Sequence, residues 1–303
     1  KDPRFKLTPQ IRMYDKIDIK WHPNIMFFQE ENFSSNVINT DKFGFRYTCN
    51  KSSKFSPCSD SKIFDQNTSL IIGSSTAFGV GASSDQKTIS SLLTKYSKEK
   101  YLNFGGRAHV SSQELTLFNQ FASKFKKIKN VIIFSGLNDL YLSCLRNYFN
   151  ELAPFFYGKQ YIKNMENVNI SFKRQIIKFF LYPVYKNSIN YKKLSLEELL
   201  KLKFRKNKQY NQNRNVNESY SIDYTIEHLE RNLFIWKKLS IAFPFNLIYI
   251  LQPTLEWLPK SHSKEENIII KYLNTEKDRI KVNNILSRSV YEEYSLKLRR
   301  VCK

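Results

Sequence analysis

From about residue 69 onward, short apolar runs alternate with amphipathic stretches. Ser69-Leu70-Ile71-Ile72-Gly73 is apolar and ends on a glycine, the pattern of a strand buried on both faces of a parallel sheet. Ile89, Leu92, Leu93 and Tyr96 then recur at helical spacing, with Ser84 or Asp85 predicted as the cap. A second strand spans 101–104 and closes on Gly105-Gly106. The stretch 111–125 predicts a helix with Leu115, Phe118, Phe121, Ala122 and Phe125 on one face. A third strand is expected at 131–134 and a fourth at 246–251. The helix before the fourth, 226–242, carries Leu229, Leu233, Trp236 and Leu239 in one stripe, and another helix is expected from about 264 to 300. Strands separated by helices predict crossover units and a mostly parallel sheet covered on both faces. The expected fold class is α/β, a three-layer α/β/α sandwich of flavodoxin-like type.

Two segments depart from this rhythm. Residues 1–64 show no period and read as an irregular segment packed on the core, with 65–303 as one α/β domain. Within the first segment, Asn39-Thr40-Asp41-Lys42-Phe43-Gly44-Phe45-Arg46-Tyr47 reads as a turn followed by a short strand. Residues 141–222 read as an insertion: an apolar stretch at 175–185 among lysines, a short helix from Ser195, and a basic, Asn-rich loop at 201–217. The Lys-flanked apolar stretch suits a helix buried on the core, or one resting on a membrane surface. No apolar run reaches the roughly 18 residues of a spanning helix. The chain opens on Lys1 without a leader-like pattern, as a fragment or a processed chain would, and a cytoplasmic or an envelope-associated setting both fit.

Charge changes the picture less than its size suggests. The 303 residues carry 49 Lys and Arg against 27 Asp and Glu, a net charge of +22. The basic residues are spread along the chain and form no RRM, zinc-finger or zipper pattern, which argues against a specific nucleic-acid partner. Contact with a polysaccharide or a membrane periphery stays open, as does the oligomeric state. Cys49, Cys58, Cys144 and Cys302 form no CxxC pair and no zinc spacing with the four histidines. Cys49 and Cys58 are expected as free thiols rather than a bridge. Neither a metal nor a cofactor is called for.

In an open parallel sheet, ligands bind beyond the carboxyl ends of the strands. The first strand ends in Gly73-Ser74-Ser75-Thr76, the second in Gly105-Gly106-Arg107, and the third in Ser135-Gly136-Leu137-Asn138-Asp139. A Ser on a strand-to-helix turn, a Gly N–H and an Asn amide meeting at one rim are the parts of a nucleophile with an oxyanion hole.

These blocks resemble those of the SGNH (GDSL-like) hydrolases. Gly73-Ser74-Ser75 is similar to the family's Gly-Asp-Ser, Asn103-Phe104-Gly105 to its Asn-x-Gly, and Gly136-Leu137-Asn138-Asp139 matches its Gly-x-Asn-Asp. The resemblance covers about residues 65–145 and implies Ser75 as nucleophile, with Gly105 and Asn138 in the oxyanion hole. It extends loosely to Leu251-Gln252-Pro253, similar to remote members that act on carbohydrates. The string 73–82 looks like bacterial members associated with surface polysaccharides. The implied function is hydrolysis or transfer of an acyl group, above all an acetyl on a glycan, and the alternative is a non-catalytic module binding an acidic glycan or a membrane. Arg107, Asp139 and Gln252 are the substrate-binding candidates; for Arg107 a structural salt bridge is an equal reading, and Ser75 and Asn138 also fit plain helix caps.

Two positions depart from the family. Ser74 replaces its Asp, which is not the nucleophile. Its last block, Asp-x-x-His, is missing: the residues three before His22, His109, His228 and His262 are Ile19, Gly106, Thr225 and Pro259. His262 lies on the right side of the chain but too early, and is a weak candidate for the base. His109 follows the second block and reads as a surface residue or a lining one. The reading places the catalytic block beyond Lys303.

Overall fold

The computed structural model describes residues 2–145, 155–164, 222–276 and 282–302, apart from the single positions 52, 98 and 159. The expected features at 175–185, 195–200 and 201–217 lie outside the described residues. Two compact units are present: 1–156 with 219–303, and Tyr157–Glu218. In the second, residues 160–164 are helical.

The centre of the first unit is a four-stranded, all-parallel sheet of β5 (Asn67–Gly73), β6 (Tyr101–Gly105), β7 (Lys127–Ser135) and β8 (Asn246–Leu251), in the order β6-β5-β7-β8. The chain leaves β5 to one side for β6 and returns to the other for β7, so strand order reverses at β5. Helix α3 (Ser75–Phe78) follows β5 and α4 (Ile89–Ser97) precedes β6. Helix α5 (Ser111–Ala122) joins β6 to β7, and α6 (Leu137–Leu145) leaves β7. The long α7 (Ile222–Ala242) leads into β8. The expected single helix after β8 is two, α8 (Lys264–Leu273) and α9 (Arg288–Val301), with a 3₁₀ turn at Asn283–Leu286. Ser263 and Ser287 each cap one of them, accepting from Glu266 N–H and Val290 N–H.

One sheet face buries Leu70, Ile72, Leu102, Phe104, Val131 and Ile133 against α5, α7 and α9. Phe118 of α5 packs on Trp236 of α7 with ring centroids 4.7 Å apart. The other face carries α3 and α4 and is exposed at Ile248 and Ile250 of the edge strand β8. Helix α4 does not bury its apolar stripe: its buried residues are Ser90, Ser91 and Thr94, and Tyr96 is 75% exposed. The reason lies next to it, where Ser90 Oγ bonds Thr48, Ser91 Oγ receives the Cys49 N–H, and Thr94 Oγ1 receives the Tyr101 N–H.

The N-terminal segment is more regular than its sequence suggests. It contains α1 (Arg4–Leu7) and α2 (Ile11–Lys16), the hairpin of β1 (Ile19–His22) and β2 (Met26–Gln29), and the short pair β3 (Thr48–Cys49) and β4 (Lys54–Phe55). Asp41 organises the expected turn by accepting N–H groups from Phe43, Phe45 and Cys58 and the Ser56 hydroxyl. Cys49, Cys58 and Cys302 are free thiols, and burial pushes Cys58 up to about 12. No helix among the described residues is long and apolar enough to cross a membrane.

The segment is joined to the sheet through Arg46, whose side chain has no exposure to water. Its Nε donates to Asp85 Oδ1 at 2.8 Å, Nη1 to Tyr14 Oη and Gly79 O, each at 2.9 Å, and Nη2 to Val37 O at 2.7 Å. Asp85, expected as the α4 cap, is taken by Arg46 and by the side-chain amide of Asn39. Breaking a buried ion pair by removing one partner costs about 3–5 kcal/mol. Arg46→Met is therefore expected to lower the unfolding free energy by that amount in urea melts. Pairing it with Asp85→Leu is expected to cost at least about 1 kcal/mol less than the sum of the two single losses; additive losses would contradict the pairing.

Candidate active site

Strand β5 ends at Gly73 and α3 begins at Ser75, so the chain turns from strand to helix within two residues. Ser74, between them, does not cap the helix; its hydroxyl donates to Gln252 Oε1 at 2.7 Å, with both side chains buried. The Gln252 N–H donates to Ser135 O at 2.9 Å, so the end of β8 is tied to the ends of both β5 and β7. Gln252, expected to bind substrate, spends its side-chain oxygen on this link. Ser75 is half-exposed, and its hydroxyl bonds no described residue.

Gly105 pairs with Gly73 across the β5–β6 ladder. A Cβ at this position would collide with the backbone of Ala77 and Phe78, so only glycine lets α3 lie against the end of β6. Its N–H, expected to face an oxyanion, donates to Asn103 Oδ1 at 2.9 Å. Three residues on, Ala108 adopts φ 59, a left-handed conformation unusual for a residue with a side chain. Asn138 is half-exposed at the start of α6, and its Nδ2 donates to His109 O at 2.7 Å, which leaves one amide hydrogen. Arg107 Nη1 donates to Ile17 O at 2.8 Å. Ser75, Gly105 and Asn138 thus stand at the carboxyl ends of three adjacent strands, around the point where strand order reverses.

None of the four histidines bonds Ser75. His262 Nε2 lies 3.3 Å from Leu255 O. His228 Nε2 meets Ser112 Oγ at 3.0 Å, and its Nδ1 faces Arg231 Nη2 at 2.8 Å. Arg231 can only donate, so Nδ1 accepts, the proton sits on Nε2, and His228 is no base toward Ser112. His22 Nε2 is buried without a partner. His109, expected at the surface or lining the site, is fully buried: Nε2 bonds Phe27 O at 3.0 Å and Nδ1 has no partner. Burial lowers it to about 4, with the Phe27 bond opposing.

Two carboxyls lie beneath the rim. Asp139, a substrate-binding candidate, turns inward and accepts the Ser111 hydroxyl at 2.5 Å and the Ser111 N–H at 3.2 Å, so it caps α5 from outside. Burial raises its pKa, with His228 and the Ser111 bonds opposing. Glu114 is fully buried, accepts the Ser135 hydroxyl at 2.8 Å, and is raised well above the usual carboxylate range by burial and then by Asp139. Among the described residues, no group of three His, Cys, Asp or Glu is placed to hold a metal ion.

The sequence reading missed the Arg46–Asp85 pair, Glu114 and the Ser74–Gln252 link. Only the charge of Arg46 within an otherwise aromatic string offered a signal. No protein-family model matches the chain, and no curated protein is significantly similar to it.

The buried groups predict opposite pH dependences. His109 takes a proton near 6.5 when unfolded and only near 4 when folded. Stability is therefore complete above about pH 6.5 and falls with acidification through that window by up to about 3 kcal/mol. His109→Gln is expected to flatten this slope in urea melts at pH 4 to 7. Glu114 ionises in the unfolded chain above about 4.5, while burial raises its folded carboxyl well above that, so it costs stability as pH rises past 4.5. Glu114→Gln is expected to gain stability relative to the parent as pH rises from about 4.5; unchanged slopes in both variants would contradict these assignments.

Proposed function

We propose that the rim around Ser75 is an acyl-ester site of SGNH type, on a sheet whose strand order is the flavodoxin-like one. The protein is then a serine-nucleophile ester hydrolase or acyl transferase acting on O-acyl, chiefly O-acetyl, groups of a carbohydrate. The observation that carries this reading is Ser75: a half-exposed hydroxyl without a partner, on a strand-to-helix turn at the reversal of strand order. Ser75 Oγ would attack the acyl carbonyl, and the developing oxyanion would meet the Ser75 N–H and the second Asn138 amide hydrogen. Gly105 N–H joins them only if Asn103 releases it. The Ser75 proton needs a base, and none of the four histidines bonds Ser75. That observation favours a second reading, a module that holds an acylated glycan without turning it over.

Chemical rescue separates the two. The 303-residue chain is expected to hydrolyse an aryl acetate no faster than Ser75→Ala. A general base contributes about 10²–10⁴-fold, so adding imidazole should raise the parent about tenfold or more above Ser75→Ala. Equal rates with imidazole would end the hydrolase reading. An acetylated oligosaccharide bound by both chains and recovered intact would establish the binding module instead.

A further inference from the structure

At the end of the sheet opposite Ser75, the connections into β5, β6 and β7 carry exposed lysines. Lys62 leads into β5, and Lys95 and Lys100 flank the passage from α4 to β6. Lys124, Lys126, Lys127 and Lys129 fill the passage from α5 into β7. Lys237 and Lys238 lie near the end of α7. These connections adjoin: Lys100 bonds Gln66, Lys129 bonds Glu99, and Asn246 bonds Asn130 at 3.1 Å. The acidic residues at this pole are Asp60, Asp65 and Glu99, and of its lysines only Lys129 has an ion pair among the described residues. A lysine in the last turn of a helix complements the helix dipole, which accounts for Lys95. It does not account for Lys100, Lys126, Lys127 or Lys129, which lie in loops and at a strand start.

Two further features select among anionic partners. The pole has lysine and no arginine, so it offers point charges rather than the planar forks that read phosphates or carboxylates one by one. It also holds Tyr96 and Ile241, the two most exposed large hydrophobic residues described, at 75% and 70%. Diffuse positive charge with protruding apolar tips is the combination that binds a lipid interface.

We propose that this pole docks on an anionic bilayer, seating Tyr96 and Ile241 among the headgroups and turning the Ser75 rim away from the membrane. Vesicles of phosphatidylcholine with phosphatidylserine at roughly 30%, against pure phosphatidylcholine, are the probe, read by co-sedimentation. The protein is expected to bind only the anionic vesicles, and less at high salt. Replacing Lys100, Lys124, Lys126 and Lys127 together by Gln should weaken binding by about 100-fold or more. The same replacement of Lys6, Lys16, Lys20 and Lys271, which removes equal charge elsewhere, should cost much less. Tyr96→Trp, which leaves every lysine in place, should be quenched by brominated lipid. Equal losses from the two quadruple variants, no quenching, or a polynucleotide or heparin displacing the vesicles from the parent while keeping its dependence on the pole lysines would overturn the proposal.

Discussion

A guanidinium taken out of water is costly unless its N–H groups find acceptors, and each of the three guanidinium nitrogens of Arg46 donates to at least one. Asp85, Tyr14 and the carbonyls of Val37, Phe78 and Gly79 surround it. Two of these carbonyls close α3, a helix of four residues, too short to hold itself by cooperative bonding. Gly79 ends it at φ 95, where glycine is free to go. The turn that carries Ser75 is therefore held at its far end by a residue from the N-terminal segment. At its near end it is held by Ser74 on Gln252 and by the backbone of α3 lying on Gly105. The N-terminal segment is part of the site's support.

Beneath the rim, polar groups are satisfied largely by one another. Asp139 serves the N-terminus of α5, Glu114 takes the Ser135 hydroxyl, and the Tyr294 hydroxyl donates to Gly136 O at 2.8 Å. Such an interior fixes the loops at the strand ends, because a change at one member leaves another buried and unpaired. It also commits groups that chemistry would want: the Gly105 N–H and one hydrogen of the Asn138 amide are spoken for. Ser75 keeps its hydroxyl free of any described partner, which is why both functional readings centre on it.

The parallel core was legible because its signals are local. Apolar runs ending on glycine and a 3.6-residue stripe specify β5 to β8, α5 and α7 with little help from the rest of the chain. What was illegible depends on partners far away in sequence. The α4 stripe of Ile89, Leu92, Leu93 and Tyr96 points to the wrong face, because Ser90, Ser91 and Thr94 gain hydrogen bonds to β3 and β6 that no periodicity can show. Arg46 and Asp85 are 39 positions apart, and Ser74 and Gln252 are 178 apart. The Gly-Ser-Ser, Asn-x-Gly and Gly-x-Asn-Asp strings lie at the carboxyl ends of three neighbouring strands. They could not say that Asn103 would occupy the Gly105 N–H, since that bond is a matter of rotamer and burial.

The central claim is that Arg46 holds the Ser75 turn. Amide hydrogen exchange of Arg46→Met under native conditions tests it most directly. The account predicts that the amides of Phe78, Gly79 and Val80 lose protection far more than those of Ile132 and Ile133 in β7, with the sheet still folded. Protection at 78–80 that stays at the parent's level, or that falls only in step with the β7 amides, would contradict it.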